Sequence, residues 1–406
     1  MSALVLMMLA QMSQPMQRWM PNQDNGSPAF FEFAPASGAG MGTACACTAI
    51  TGAKGEAMTF ARTGAATCSP LGLATTGITN ASLVECSANL PRVESSGSVL
   101  GLRVEGARTN VLTRFIDYAN ATWADVSTPT LTGAQASPWT GTYANLAVQF
   151  DDNNAAAFEG RTQTVTVTAA TAYIMSCYVK AGTLDTARLS LDGTTADFTG
   201  LSSTTWSIIT VADASSSGVA IAAQALNGST VGATGTVIWG GCQVEAGAYA
   251  TSMIPTVAAG VTRGAEAATL PVAVSQQTQC QASNVELLGT SSNDRIWTMT
   301  RVLSGSGDFI ASYTQAAARV DTVGSGAVSV TGAGSAFGAV TRFLSTWNGS
   351  TLTMFRNATQ TGTTTTANTL GPASIIGIGS SPAGASHVDG IVTRVQVDPS
   401  PSRCTP

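Results

Sequence analysis

The sequence predicts an all-β protein of tandem β-sandwich (jelly-roll) domains, with a short N-terminal helix or docking arm. Three observations lead there. Charged residues make up 10% of the chain, and Thr, Ser, Ala and Gly stand where helix faces would need Glu, Lys, Arg and Leu. Short runs of alternating apolar and polar residues recur between Gly, Ser, Asp and Asn turns. With 406 residues, 44% of them apolar, the chain is too long for one ordinary core and has enough to fill two or three.

Residues 1–33 are Met- and Gln-rich. MSALVLMMLAQM is their one helical stretch, and Pro15 and Pro21 stop it from growing. Its apolar run, Ala3 to Ala10, is short and no basic residue precedes Arg18, so it reads as a buried helix or arm rather than a secretory signal. Such a terminus needs a cover, most simply other copies of the chain or a partner. Residues 34–109 read as a small β-rich region containing cysteines. In VLGLRVE, Val99 to Glu105, the residues Leu100, Leu102 and Val104 share one face.

Residues 110–265 read as one sandwich. RTQTVTVT turns Val165 and Val167 inward, and TAYIMSCYVKAG, ARLSLDG, WSIITV, GVAIAAQAL and GTVIWGGCQVE follow at close spacing. Residues 266–406 read as a second: NVELL, RIWTMTRV, FIASYT, AVSVTG, AVTRFLSTWNGSTLTMFRN, SIIGIG and GIVTRVQV alternate in the same way. Asn348-Gly349 within the fifth of these is a hairpin signal, because it supplies positive φ angles. TGTTTTANT is open between a solvated strand and a loop.

The balance of charge excludes some partners. A net charge of −5 without any Lys/Arg cluster argues against nucleic acid, and no apolar run is long enough to predict a membrane span. Of eight cysteines, Cys45, Cys47, Cys68 and Cys86 lie before residue 90. They fit two disulfides, a four-thiolate metal site or four buried thiols, with buried thiols the simplest reading and zinc disfavoured by the lack of Cys-x-x-Cys. Cys280 and Cys404 bracket the last sandwich, whose first and last strands should be neighbours, and form the candidate disulfide.

Catalytic signals are weak, and no enzyme is expected. His387 is the single histidine, in a turn leading into a strand, so a His-based triad has one possible base. No HExxH, Walker loop or strand-linked GxGxxG occurs. Asp151, Asp152, Asn153 and Asn154 offer oxygens that suit a solvated turn or, if they converge, a calcium ion; no other cofactor is expected. Trp123, Trp139 and Tyr143 in the first sandwich, and Trp297, Tyr313 and Trp347 in the second, are the aromatic candidates for stacking on a sugar. Each competes with a core role, and Trp206 and Trp239 are assigned to the core outright. Glu105, Arg108 and Asn110, with Glu245 and Arg263, read as structural: acid and arginine at the two ends of one sandwich can pair and pin both ends, if the two motifs meet in space.

Three stretches resemble modules of bacteriophage virion fibre and receptor-binding proteins. GLRVEGARTNVLTRF, Gly101 to Phe115, followed by Trp123, is similar to the lead-in of a carbohydrate-binding-like jelly roll in those proteins. YIMSCYVKAG is similar to that module's central strand, and GGCQVEAGAYATSMIPTVAAGVTRGAE to its closing signature. FLSTWNGSTLTMFRN, IIGIG and HVDGIVTRVQV resemble a concanavalin or laminin-G lectin sandwich. The pattern is broken at Met253, where an aromatic is usual, and at Glu266, where Asp is usual. The resemblance covers residues 101–397. It implies a non-enzymatic virion structural protein in a fibre, spike or tail-tip position, assembled in the host cytoplasm. That protein would be a homotrimer docked to other virion proteins through its N-terminal region, offering lectin-like domains to host surface polysaccharide. Two alternatives stand beside it: a purely architectural capsid decoration or collar protein, and a secreted carbohydrate-active enzyme with binding modules.

Overall fold

The computed structural model describes residues 29–32, 46–47, 58–72, 76–96, 99–274, 279–287, 299–303, 310–315, 318–323, 328–333, 340–348, 350–365, 373–379, 389–398 and 404. Among them the protein is all-β, with one short 3-10 turn at Gly141–Tyr143. No helix of the described residues is long and apolar enough to cross a membrane. The expected helix at the N-terminus lies outside the described residues. The end of that arm, Ala29–Glu32, is a strand paired with Gly390–Asp398.

The first sandwich stacks two sheets. One runs Ala124–Val126, Gly160–Thr166, Ala220–Asn227, Ala187–Leu191, Thr194–Phe198. The other runs Thr130–Gln135, Ala147–Asp152, Gly235–Ala246, Tyr173–Ala181, Trp206–Asp213, Thr76–Ile78. Thus the short link after Thr168 carries the chain from one sheet to the other. Val165, Phe150, Met175, Leu189, Ile221, Val237 and Trp239 fill the space between.

Tyr173–Ala181 is buried along its whole length because its sheet is covered on both faces. Alternation sends Met175 and Cys177 into the sandwich and Tyr178 the other way. On that second face Tyr178 belongs to a cluster with Ile78, Leu83, Phe115, Trp139, Trp206 and Met253.

The Gly240-Gly241 pair marks a register shift opposite the segment between Cys177 and Val179. Gly241 has φ +122°, and a Cβ on Gly240 would sit 2.8 Å from the Trp206 ring, so neither position accepts a side chain. Phe115 O accepts the Cys242 N–H at 2.8 Å, and Gly240 O accepts the Trp139 indole N–H at 2.8 Å. The bulge is therefore satisfied from outside the sheet.

The last sandwich draws on both ends of the chain. Arg92–Ser96 and Val99–Val104 form a hairpin, and Val99–Val104 pairs with Gly390–Asp398, which pairs with Gln279–Leu287 and onward to Thr341–Trp347, Thr351–Arg356 and Thr359–Thr365. TGTTTTANT therefore begins as a strand at the sheet edge. The Asn348 side chain caps the hairpin turn, accepting the Ser350 and Thr351 N–H groups at 3.1 and 2.7 Å. In the facing sheet Thr59–Ala61 pairs with Ala267–Val274. Residues 34–109, expected as a unit of their own, thus supply strands to both sandwiches.

Among the described residues the cysteines are disulfide-bonded rather than buried thiols. Cys47–Cys86, Cys177–Cys242 and Cys280–Cys404 are linked, Cys68 is also oxidised, and no free cysteine occurs among the described residues. Cys177 and Cys242 are register partners on neighbouring strands, a proximity that only the topology reveals. The Cys280–Cys404 bond closes a sequence separation of 124 residues. Its removal in a Cys280→Ser, Cys404→Ser variant is expected to destabilise the last sandwich by about 4 kcal/mol, read from guanidinium unfolding followed by fluorescence.

Candidate functional site

The junction between the two sandwiches is held by charge. Arg62, Arg92, Arg103, Arg108 and Arg263 meet Glu94, Glu105, Glu245, Glu266 and Asp389, five cations against five carboxylates. Apart from Arg108, these side chains are at most 5% exposed.

Glu266 is the centre. Its carboxylate accepts Arg62 Nη1 at 2.7 Å, Arg92 Nη2 at 2.7 and 2.8 Å, and the Glu105 backbone N–H at 2.8 Å. Glu105 lies one layer on, accepting Arg92 Nη2 at 2.8 Å, Arg103 Nη2 at 2.6 Å and the Ser252 N–H and hydroxyl at 2.9 and 2.6 Å. Arg263 Nη1 stands 2.8 Å from Glu105, and its Nη2 donates to Gly106 O at 3.0 Å. The lead-in and the close of the first sandwich therefore meet through Glu105 and Arg263, and their backbones pair over Arg108–Asn110 and Val261–Arg263. Asn110 locks the same corner, donating to Ile254 O at 2.8 Å while its oxygen accepts the Leu112 and Val244 N–H groups at 3.0 and 3.1 Å.

Asp389 ties in the last sandwich. It precedes the strand Gly390–Asp398, accepts the Gly106 N–H at 2.7 Å and the Tyr249 hydroxyl, and lies 3.6 Å from Arg108 Nη2. Arg108 also covers the Tyr249 ring at 5.4 Å and reaches to 3.8 Å of Glu245.

Environment sets the protonation of these acids. Burial pushes Glu105 up, but Arg103, Arg263 and Arg92 outweigh it and hold the carboxyl well below the usual range. Burial wins at Glu245, which is pushed up to about 7 despite the Thr251 N–H and hydroxyl it accepts at 2.6 and 2.7 Å. Burial also raises Glu94 and Asp389.

Arg62, Arg92 and Glu94 lie outside the motifs that mark the site, while Arg103, Tyr249, Glu266 and Asp389 lie inside those motifs with no local pattern that gives them this role. The sequence-level signal was the scarcity of charge, which makes arginines inside β-like runs unusual.

The aromatic candidates are placed differently. Trp123, Trp139 and Trp347 are each 1% exposed, so none offers a face to a sugar. Trp123 donates its indole N–H to Arg114 O at 2.9 Å and packs on Tyr118. Tyr143 is half-buried, edge-on to Phe115 and Trp139. Trp297 and His387 lie outside the described residues, and the strand Ile310–Gln315 carries Tyr313 without a described side chain.

The proposed calcium set is divided. Asp151 and Asp152 both belong to Ala147–Asp152, whose alternation points them to opposite faces. Asp152 accepts the Asn154 and Glu159 N–H groups at 3.1 and 3.2 Å, and Glu159 accepts the Asn153 N–H at 2.7 Å, so the loop's amides occupy these oxygens. Among the described residues no group of three His, Cys, Asp or Glu is arranged to hold a metal.

No family model matches the chain, and no curated protein matches it. Among solved structures it is similar to the N-terminal CBM22-1–CBM22-2 tandem domain of Paenibacillus barcinonensis Xyn10C, at 9% identity over 71% of this chain and 97% of that one, with a TM-score of 0.25. It is similar also to domains LG4-5 of the mouse laminin alpha1 chain, at 10% identity over 68% and 93%, with a TM-score of 0.26. Neither likeness bears on function.

Two measurements probe the cluster. Glu266→Gln leaves two buried guanidiniums short of their counter-charge and is expected to cost about 3–5 kcal/mol in denaturant unfolding; a loss of about 1 kcal/mol or less, the worth of a surface pair, would refute the central role. Glu245 has a raised folded pKa, so its stabilising contribution is complete below about pH 4.5 and is lost as pH rises through about 7. Glu245→Gln is expected to flatten that part of the stability profile, a difference on the order of 3 kcal/mol between pH 4 and pH 8.

Proposed function

We propose that the chain is a non-enzymatic structural protein of a bacteriophage virion, in a fibre, spike or tail-tip position, that holds two β-sandwiches rigidly and turns them toward a host surface. The observation that carries this reading is the identity of the segments the charge cluster fastens. Gly101–Phe115 and the stretch after Gly240, which resemble the opening and closing signatures of a virion fibre module, are bound to each other through Glu105–Arg263 and to the last sandwich through Asp389. The disulfides support a protein that works outside a reducing cytosol, as a virion surface does. Assembly as a homotrimer, with the N-terminal arm on neighbouring virion proteins, belongs to the same reading.

Attachment to host glycans would work by copy number, weak single sites multiplied by fixed spacing. The burial of Trp123, Trp139 and Trp347 favours the second reading, an architectural component whose sandwiches bind only neighbouring virion proteins. A glycan array with the full chain, at protein concentrations that detect weak binding, separates the two. Binding that Tyr143→Ala weakens several-fold while the variant remains folded by circular dichroism supports attachment, whereas silence across the array supports architecture. Cleavage of any polysaccharide would overturn the non-enzymatic reading.

A further inference from the structure

Lys180 is the one lysine among the described residues, and it is 8% exposed. It projects from Tyr173–Ala181 on the face away from the sandwich interior, with its Nζ 4.9 Å from the Trp206 ring centroid. Nothing acidic among the described residues compensates it, and burial alone shifts its ammonium, downward, toward the free amine. The polar atom in front of it is Asn80 Oδ1, at 3.5 Å.

Asn80 is held there by the sheet. It follows the strand Thr76–Ile78, whose pairing sets Ile78 beside Trp206. The Trp206 indole N–H donates to Asn80 Oδ1 at 2.8 Å. An indole nitrogen can only donate, so the carboxamide must turn its oxygen this way. The result is a lysine whose charge is disfavoured by burial and which has no counter-ion among the described residues, facing a carboxamide whose carbonyl is already polarised by a hydrogen-bond donor.

We propose that Lys180 and Asn80 are the two halves of an intramolecular isopeptide cross-link. The Lys180 amine attacks Asn80 Cγ, and the Nζ–Cγ bond forms as the Cγ–Nδ2 bond breaks. One proton passes from Nζ to Nδ2, which leaves as ammonia. No oxidant, metal or second substrate enters the balance. The Trp206 N–H serves the carbonyl oxygen as charge develops on it. Because each molecule reacts once and keeps the product, a slow step in a fixed geometry suffices. The bond joins residues 100 positions apart and fastens the covering segment around Thr76–Cys86 to the central strand of the first sandwich. Unlike the disulfides, it survives reducing agents.

The test is the intact mass of the full chain, reduced and denatured after prolonged storage. The expected mass lies below the sequence mass by one ammonia, with a branched peptide joining Asn80 to Lys180 after proteolysis. Lys180→Arg keeps a cation over Trp206 and Asn80→Ala removes the acceptor; both are expected to restore the full mass while remaining folded by circular dichroism. An unmodified mass for the parent chain overturns the proposal, leaving a non-covalent cation–π contact. Loss of ammonia that persists in Lys180→Arg overturns it as well, since the loss would then arise elsewhere.

Discussion

Burying an ion costs several kcal/mol even after relaxation, and this protein buries nine charged side chains of one cluster almost completely. The cost is offset only when every partner is in place. Glu266 answers Arg62 and Arg92, which lie 204 and 174 residues before it, and Asp389 answers a backbone N–H 283 residues before it. No subset of the chain can assemble the cluster alone. The relation between the sandwiches is therefore closer to a lock than to a hydrophobic contact: a shifted docking leaves bare charges, whereas a shifted apolar interface loses only area. Such a cluster adds little net stability over an apolar core, whereas breaking one of its pairs leaves a bare buried charge and is strongly destabilising.

The strands were readable because each shows alternation over its own few residues. Val165 and Val167 point inward as their pattern requires, and Trp206 and Trp239 are fully buried. Arg103 and Glu105 show where that reading fails. They alternate with Leu102 and Val104 as a solvated face would, yet they are buried to 3% and 0% because a second layer covers them. Alternation distinguishes two faces of a strand; it does not say whether the polar one meets water or other charges. The pairing of Glu105 with Arg263 was legible because both sit in motifs that mark the ends of one unit. Arg62 and Arg92 sit in no such motif, Asp389 sits in HVDGIVTRVQV of the other sandwich, and their partners lie too far along the chain for spacing to show.

Aromatic residues posed the opposite difficulty. A tryptophan near a loop can face a ligand or close a core, and its sequence context is alike in both cases. Trp139 is decided by the Gly240-Gly241 bulge, whose freed carbonyl needs a donor that a buried indole supplies. That need is a property of the register between Tyr173–Ala181 and Gly235–Ala246, which no local pattern encodes.

Rigidity is what joins architecture to the proposed function. Multivalent attachment gains from copy number only if the spacing of sites matches the spacing of receptors, and flexible joints dilute the effective concentration of the second contact. A junction held by Glu105, Glu266 and Asp389 fixes that spacing within one chain, and disulfides in both sandwiches limit how far either can open under load. An architectural component bound only to its neighbours profits from the same stiffness, because force applied at one sandwich reaches the other without a hinge. The cluster is thus indifferent to which surface the protein finally meets. Its demand is that the two sandwiches arrive there as one body.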